Sequence, residues 1–513
     1  MGSLIFRRCA DGDFVERLRL AALPTLLLAF LLHIAIGVTT RPFSDWDTVR
    51  LTPVLALWHG YPLYPTLNEG PAISFCYGPV SALVYLPVVT LQSPTSVVIA
   101  GALLTVILIL APVLWVHLDR RIVGADSSTD GVMGFMAFCG LAFMSPALSY
   151  SLYSPAHDGV ALSLGAIATG VLCRRPAHGG ATPLKSLMIS ACVAVLCVWA
   201  KQTMVPILLA LPVFVLLADS ARNCLRYVLL LALFGTGISL LFLTTFGSEG
   251  LILNMFELPR QHPRQMGLLE SLSAFLPAFS VFGVVLLFVL LVFAQSDQLP
   301  GGLAGYRQSN AVRGFLAFII VGVSELPAGI IGYTKLGGYV NSFSLPLYYC
   351  GIATTLVLSG FSRAPVTGPH SPVKRRIAQA LLVSIAFVHV LLPGWLGDLQ
   401  ADFRHNPLEA AFEYEKKYPG KAYFPWNTLS VLMAGGKAYH AEDGLISLRM
   451  AGMKLPSPQS RAFLPADANL VALPPNYPTN WTKGLVLEYL SDYRRRVAVD
   501  ELPGWTVFER EPR

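Results

Sequence analysis

The chain has 513 residues, of which 54% are hydrophobic and only 13% charged. A water-soluble domain carries about 25% charged residues, so this composition excludes an ordinary soluble protein. The net charge of +7 does not mark a nucleic-acid binder, because the basic residues cluster in short loops between apolar runs, where they encode membrane topology.

In chain order, the first apolar run is Leu20–Val38, preceded by Arg7, Arg8, Arg17 and Arg19. A cleaved signal peptide has a shorter apolar core, so this run reads as an uncleaved first span. Further candidate spans are Thr95–Leu118, Val132–Leu148, Val160–Cys173, Leu187–Ala200, Val205–Leu217, Tyr227–Phe246, Leu272–Phe293, Gly314–Ile331, Ser344–Leu358 and Ile377–Leu392. Roughly 20 apolar residues cross a bilayer core. The segment Pro79–Leu91 is too short to cross upright and reads as a re-entrant or interfacial element.

With the N-terminus in the cytoplasm, Arg120-Arg121, Arg174-Arg175, Lys185, Arg222, Arg226, Arg313 and Lys374-Arg375-Arg376 all fall on the inner side. The segments 39–78, 149–159, 247–267 and 333–343, the neighbourhood of Lys201 and everything beyond Pro393 then lie outside. The expected fold is an α-helical polytopic membrane protein of about 11–13 transmembrane helices, covering 1–393, followed by a small extracytoplasmic α/β domain over 394–513. The tail has strand-like runs at Ala422–Phe424, Leu470–Leu473, Val497–Val499 and Thr506–Phe508, with helical patterns at Pro407–Lys417 and Leu485–Arg494. None of the eight cysteines lies beyond Cys350, so no disulfide is expected in that tail, and no zinc-type spacing occurs.

Residues with chemical potential concentrate on the predicted outer side. Phe43-Ser44-Asp45-Trp46-Asp47 places two carboxylates two residues apart just after the first span. An ordinary solvated loop would read the same way. The loop continues through Gly60-Tyr61-Pro62-Leu63-Tyr64 to Tyr77-Gly78-Pro79, rich in aromatic and turn-forming residues. Trp46, Tyr61, Tyr64 and Tyr77 suit the headgroup level and offer faces on which sugar rings stack.

An acidic pair after the first span, a G-x-P-L-Y element and a Y-G-P opening of an apolar segment resemble the GT-C superfamily of polyprenyl-phosphate-dependent glycosyltransferases. The protein O-mannosyltransferase, aminoarabinose transferase and RgtA-like group is nearest. The resemblance covers roughly the first two-thirds of the chain. It implies inverting transfer of a sugar from a polyprenyl phosphate to a glycan, lipid or protein acceptor. It implies Asp45, or second Asp47, as the base that takes the proton of the attacking hydroxyl. Tyr77-Gly78-Pro79 departs from relatives that carry two prolines or Lys-Pro there.

Four further segments carry candidates. His157 and Asp158 suit substrate hydroxyls, or in the plainer reading cap a helix. Lys201 interrupts a long apolar stretch and reads as a phosphate contact or as a snorkelling turn marker. Arg260, His262 and Arg264 stand on the outer side against the usual charge bias. They suit a donor phosphate or anionic lipid headgroups. Glu325 sits within a span, where an acid is costly unless it is functional or paired, for instance with Lys335. The K-x-G-x-x-x-N pattern of Lys335-Leu336-Gly337-Gly338-Tyr339-Val340-Asn341 resembles a segment recurring in bacterial GT-C proteins, and Lys335 suits a phosphate and Asn341 a sugar hydroxyl. A plain glycine-rich turn is the alternative. Tyr439-His440-Ala441-Glu442-Asp443 reads as a solvated turn, since its spacing suits no metal.

No cofactor is required by these residues, and a divalent cation is compatible with them. The expected partners are a polyprenyl-phosphate-linked sugar, its acceptor and membrane lipids, with no nucleic acid; the expected location is the plasma or inner membrane. A polysaccharide polymerase or ligase would depend on Arg260 and His262 rather than on Asp45. A transporter would show inverted repeats, which the sequence lacks.

Overall fold

The computed structural model describes residues 12–39, 45–67, 69–123, 128–174, 181–294, 310–363, 371–391, 406–453, 462–474 and 492–511. The helical part comprises α1 (Gly12–Thr39), α2 (Asp45–Trp58), α3 (Pro79–Tyr85), α4 (Pro94–Leu118), α5 (Ser128–Met144), α6 (Pro146–Leu152), α7 (His157–Cys173) and α8 (Leu184–Ala200). It continues with α9 (Ile207–Ala218), α10 (Ala221–Phe246), α11 (Leu268–Ala294), α12 (Asn310–Thr334), α13 (Ser344–Arg363) and α14 (Ser371–Leu391).

Among the described residues, five helices are long and apolar enough to cross a membrane, falling within α1, α4, α10, α12 and the region of α13. Several other expected spans are shorter apolar helices: α7, α8, the stretch Gln202–Ala218 and the first part of α11. The expected span Val132–Leu148 is broken. Pro146 cannot continue the hydrogen bonding of α5, Ser145 caps the new helix, and α6 departs at 100°. The exposed side of α10 carries Leu225, Leu229 and Leu233, each at least 60% exposed. This leucine stripe at helical spacing is stable only against lipid. The protein is therefore an α-helical polytopic membrane protein.

α7 runs through the middle of the bundle and is buried along almost its whole length. Its small residues allow this. A methyl group at Gly165 would lie 2.0 Å from the Tyr349 hydroxyl, and one at Gly159 would lie 2.7 Å from Thr105. Close approach of this kind stabilises helix pairs in lipid, where apolar burial gives no net drive.

The two ends of the bundle differ in chemistry. At one end, Arg313 at the start of α12 donates to the carbonyls of Leu172 (3.0 Å) and Ala218 (3.1 Å), which close α7 and α9. Arg174 pairs there with Asp119 at 2.6 Å. At the other end lie the start of α7, the end of α8 and the end of α12, where the polar segments gather.

At that second end one expectation is corrected and another agrees with the structure. The stretch 39–78 is not all loop: Asp45–Trp58 is a 14-residue helix, because Leu51, Val54, Leu55 and Ala56 recur at helical spacing and are buried. The segment Pro79–Leu91 forms only the seven-residue α3 and a single 3-10 turn, Val88–Thr90, far below spanning length.

The C-terminal part contains α15 (Pro407–Lys417), β1 (Ala422–Tyr423), α16 (Thr428–Gly435), α17 (Glu442–Met450), β2 (Leu470–Leu473), β3 (Tyr493–Val497) and β4 (Thr506–Arg510). The sheet order is β1-β2-β4-β3, with β1 and β2 parallel and the other pairs antiparallel. The expected helix Leu485–Arg494 ends instead in β3; its first seven residues, and the expected domain boundary at 393/394, lie outside the described residues. This small α/β domain is seated on the bundle through α2. Thr48 donates to the Trp426 carbonyl at 2.8 Å, the Thr428 hydroxyl donates to Thr52 at 3.1 Å, and Trp46 meets Trp426 edge-on at 5.5 Å.

Candidate active site

A cavity of about 730 Å³ opens where α2, the segment 74–77, the loop 262–265, the turn 332–341 and α17 meet. This volume is within the range of pockets that take small-molecule ligands. Its acidic and basic lining residues are Arg50, His262, Lys335 and Asp443.

Arg50 is the cation fixed most firmly. It sits on the same face of α2 as Trp46, four residues away, and both line the cavity. Its guanidinium donates to the Ser154 hydroxyl and to the Tyr150 hydroxyl (3.2 Å), and lies 5.5 Å from the Tyr150 ring centre. Asp47 is 3% exposed and stands 4.0 Å from Arg50, behind the cavity wall. Asp45 opens α2; its side chain lies outside the described residues.

The two basic segments of the predicted outer side come together. Arg264 and Lys335 pair through their backbones in an antiparallel bridge, with Leu336 donating to the Pro263 carbonyl at 2.8 Å and Gln265 to the Thr334 carbonyl at 2.9 Å. The Lys335 ammonium donates to the Pro259 carbonyl at 2.7 Å, which leaves two of its three protons for other acceptors. His262 and Lys335 line the cavity, whereas Arg260 and Arg264 are exposed beside it. Burial, and then the Lys335 charge, hold the His262 imidazole below its usual range. Burial first and Arg264 second lower the Lys335 ammonium. Gly337 takes a positive φ of 84° in the turn that follows, a conformation that suits glycine.

Behind this wall lies a buried polar knot. Asp158 is in the first turn of α7 but caps nothing there; the cap position is Ala156. One carboxylate oxygen pairs with Lys201, and the other accepts from Asn341 at 2.7 Å. Lys201 sits in extended backbone between α8 and the next helical turn and faces Asp158 rather than the cavity. Asn341 reaches both the knot and the cavity. His157 is buried among Phe75, Tyr77 and Tyr85, with Nε2 3.2 Å from the Arg50 carbonyl oxygen.

Other candidates stand away from the cavity lining. The Tyr64 hydroxyl donates to the Tyr77 carbonyl at 2.7 Å, and the Tyr61 hydroxyl accepts from the Ala438 N–H at 3.2 Å. Glu325 is fully buried within α12, against the backbone of Ile207 and near Lys201, and is not paired with Lys335. Tyr77 lines the cavity. The glycine after it permits a close approach: Gly78 donates to the Ala200 carbonyl at 3.1 Å, and a methyl group there would fall 1.6 Å from the Trp199 carbonyl oxygen.

The segment Tyr439–Asp443 is not a solvated turn. His440 and Glu442 are 2% and 0% exposed. The His440 ring accepts from the Ala72 N–H at 2.7 Å, and the Ala441 N–H donates to the Ala72 carbonyl at 2.9 Å. This clasp brings Asp443, Ser447 and Met450 of α17 onto the cavity wall. Burial pushes the Asp443 carboxyl up to about 6 and the Cys76 thiol up to about 12. Among the described residues, no group of three His, Cys, Asp or Glu residues has metal-binding proximity.

The fold is that of an α-helical polytopic membrane protein with a small C-terminal α/β domain. Two solved structures of ArnT from Cupriavidus metallidurans share that architecture. One, in the apo state, superimposes with a TM-score of 0.56, and the other, bound to undecaprenyl phosphate, with 0.58. Each is 12% identical to this chain and covers 95% of it and 98% of its own length. No protein-family model matches the sequence, and no curated protein sequence matches it.

Proposed function

We propose that this protein is a glycosyltransferase that moves a sugar from a polyprenyl phosphate to a hydroxyl acceptor on the extracytoplasmic side of the plasma or inner membrane. The observation that carries this reading is the cavity's position and charge. Three basic side chains, Arg50, His262 and Lys335, line it. Immediately beyond Gln265, α11 begins with Leu268, Leu269, Leu272 and Leu276 exposed on its surface. A phosphate bound in the cavity can therefore trail an isoprenoid chain along an apolar surface. The ArnT structure with undecaprenyl phosphate shows that this architecture accommodates such a carrier in that protein.

In the proposed reaction the acceptor hydroxyl attacks the anomeric carbon and the bond from that carbon to the phosphate oxygen breaks. The electron pair leaves on the phosphate, where Lys335 and Arg264 offset the developing charge, with Arg260 at the rim. A carboxylate accepts the hydroxyl proton. Asp45 is assigned that role because Asp47 stands behind the wall against Arg50. Orientation follows from the two ends of the bundle. Arg174 and Arg313 gather at the end away from the cavity, which is the cytoplasmic end by the charge bias.

Binding of undecaprenyl phosphate to the purified full chain tests the reading. Wild type is expected to bind, and Lys335→Met to bind about 10-fold or more weakly, the usual loss for one charge-assisted contact. Absence of binding by wild type overturns the reading.

A further inference from the structure

We infer that Asp443 and Ser447, on the cavity side of α17, bind a hydroxyl group of the transferred sugar or of its acceptor. The small C-terminal domain is then a specificity-determining wall of the site. This inference rests on the glycosyl-transfer reading above.

Three observations carry it. The first is the helical face. Asp443, Ser447 and Met450 stand at i, i+4 and i+7 on α17 and all line the cavity, while Leu445 and Ile446 pack into the core of the small domain. The second is rigidity. α17 lies so close to the segment 72–74 that a methyl group at Gly444 would fall 2.1 Å from the Ala72 carbonyl oxygen. The Ser74 and Ser447 hydroxyls meet at 3.3 Å, and Ser74 also hydrogen-bonds Asp443. The helix cannot shift without dragging the strip that leads to Tyr77. The third is charge. Asp443 is the one carboxylate on the lining among the described residues, which it shares with the cations Arg50 and Lys335. A carboxylate repels a phosphate, so the phosphate belongs at the basic side and Asp443 meets an uncharged group. In a sugar or a glycan acceptor that group is a hydroxyl, and a carboxylate accepts its proton in a charge-assisted hydrogen bond.

The test uses the purified full chain. Donor is the radiolabelled lipid-phosphate-sugar fraction extracted from the source cells, and acceptor is membranes from a strain deleted for this gene. Asp443→Asn is expected to raise the apparent KM for one of the two substrates at least 10-fold. The affinity for undecaprenyl phosphate should stay within twofold. The substrate whose KM moves identifies the source of the hydroxyl. At pH 5, where Asp443 is protonated, wild type should approach the variant; a purely structural role would not produce this convergence. Ser447→Ala and Asp443→Glu provide second variants should Asp443→Asn not fold, the first weakening and the second partly restoring substrate binding. Both KM values within twofold of wild type in these variants would overturn the inference alone. A wild-type protein that neither binds undecaprenyl phosphate nor transfers label would overturn the glycosyl-transfer reading, and this inference with it.

Discussion

Lys201 and Asp158 form an ion pair buried between the break after α8 and the first turn of α7, and Asp158 also holds Asn341 at 2.7 Å. One carboxylate thus joins three segments that are far apart in sequence and sets the back of the cavity. Removing a single partner leaves an uncompensated buried charge, which costs about 3–5 kcal/mol. Lys201→Met and Asp158→Leu should each lower the thermal transition of the detergent-solubilised protein strongly. The double variant should recover much of the loss. Equal loss in singles and double would show that the pair is not the source.

Gly78 supplies a second test of how the site is assembled. Its backbone lies against the Trp199 carbonyl, where a methyl group would come within 1.6 Å. Neither partner can yield, because both are backbone. Gly78→Ala should abolish recovery of folded protein, or lower its melting temperature more than Gly235→Ala, where nothing lies within 4 Å. The comparison is made by size-exclusion chromatography and thermal unfolding.

Topology is tested by cysteine labelling in intact cells. Tyr339 is 56% exposed at the cavity end, and Arg120 is exposed near the Asp119–Arg174 pair at the opposite end. Tyr339→Cys should react with a membrane-impermeant maleimide above the wild-type background. Arg120→Cys should react only after permeabilisation. The reverse pattern would place the cavity in the cytoplasm.

The small domain should respond to pH through Glu415. Its carboxylate accepts from the Gly420 N–H at 2.8 Å, but burial outweighs that contact and pushes it up to about 6. A folded-state pKa above the unfolded one means that the folded form binds the proton more tightly. Its stabilising contribution is full below about 4.5 and is lost as pH rises through about 6. Thermal stability of wild type should therefore increase between pH 7 and pH 5. Glu415→Gln should be more stable than wild type at pH 7 and show a smaller pH response. A variant less stable than wild type at pH 7 would contradict this sign.

Much of this architecture was legible in the sequence because lipid imposes strict rules on length and polarity. The apolar runs, the strand-like runs at Ala422–Phe424, Leu470–Leu473 and Thr506–Phe508 and the helix Pro407–Lys417 are local signals, whereas the run Val497–Val499 meets a strand only at Val497, the end of β3. The two basic segments that meet through Arg264 and Lys335 were each visible, since charge is costly near a membrane. Their pairing was not, because about seventy residues separate them. Arg50 was hidden by its setting. A single arginine within Thr48–Trp58 reads as a loop charge until the helix is known, and only its spacing from Trp46 and Asp47 points to the cavity. Asp443 and Ser447 escaped for a different reason. Helical spacing puts them on one face, but only the clasp between Ala72 and His440 decides that the face turns toward the site. The acidic pair after the first span reads as Asp45 first and Asp47 second. The burial of Asp47 against Arg50 is a contact that the sequence alone does not show.

The most direct measurement is single-turnover transfer of label from the lipid-phosphate-sugar fraction to acceptor membranes by purified wild type and by Asp45→Asn. The account predicts transfer by wild type and a loss of about 100-fold or more in the variant, the contribution typical of a positioned base, with undecaprenyl phosphate binding retained. Transfer by Asp45→Asn at the wild-type rate would contradict it.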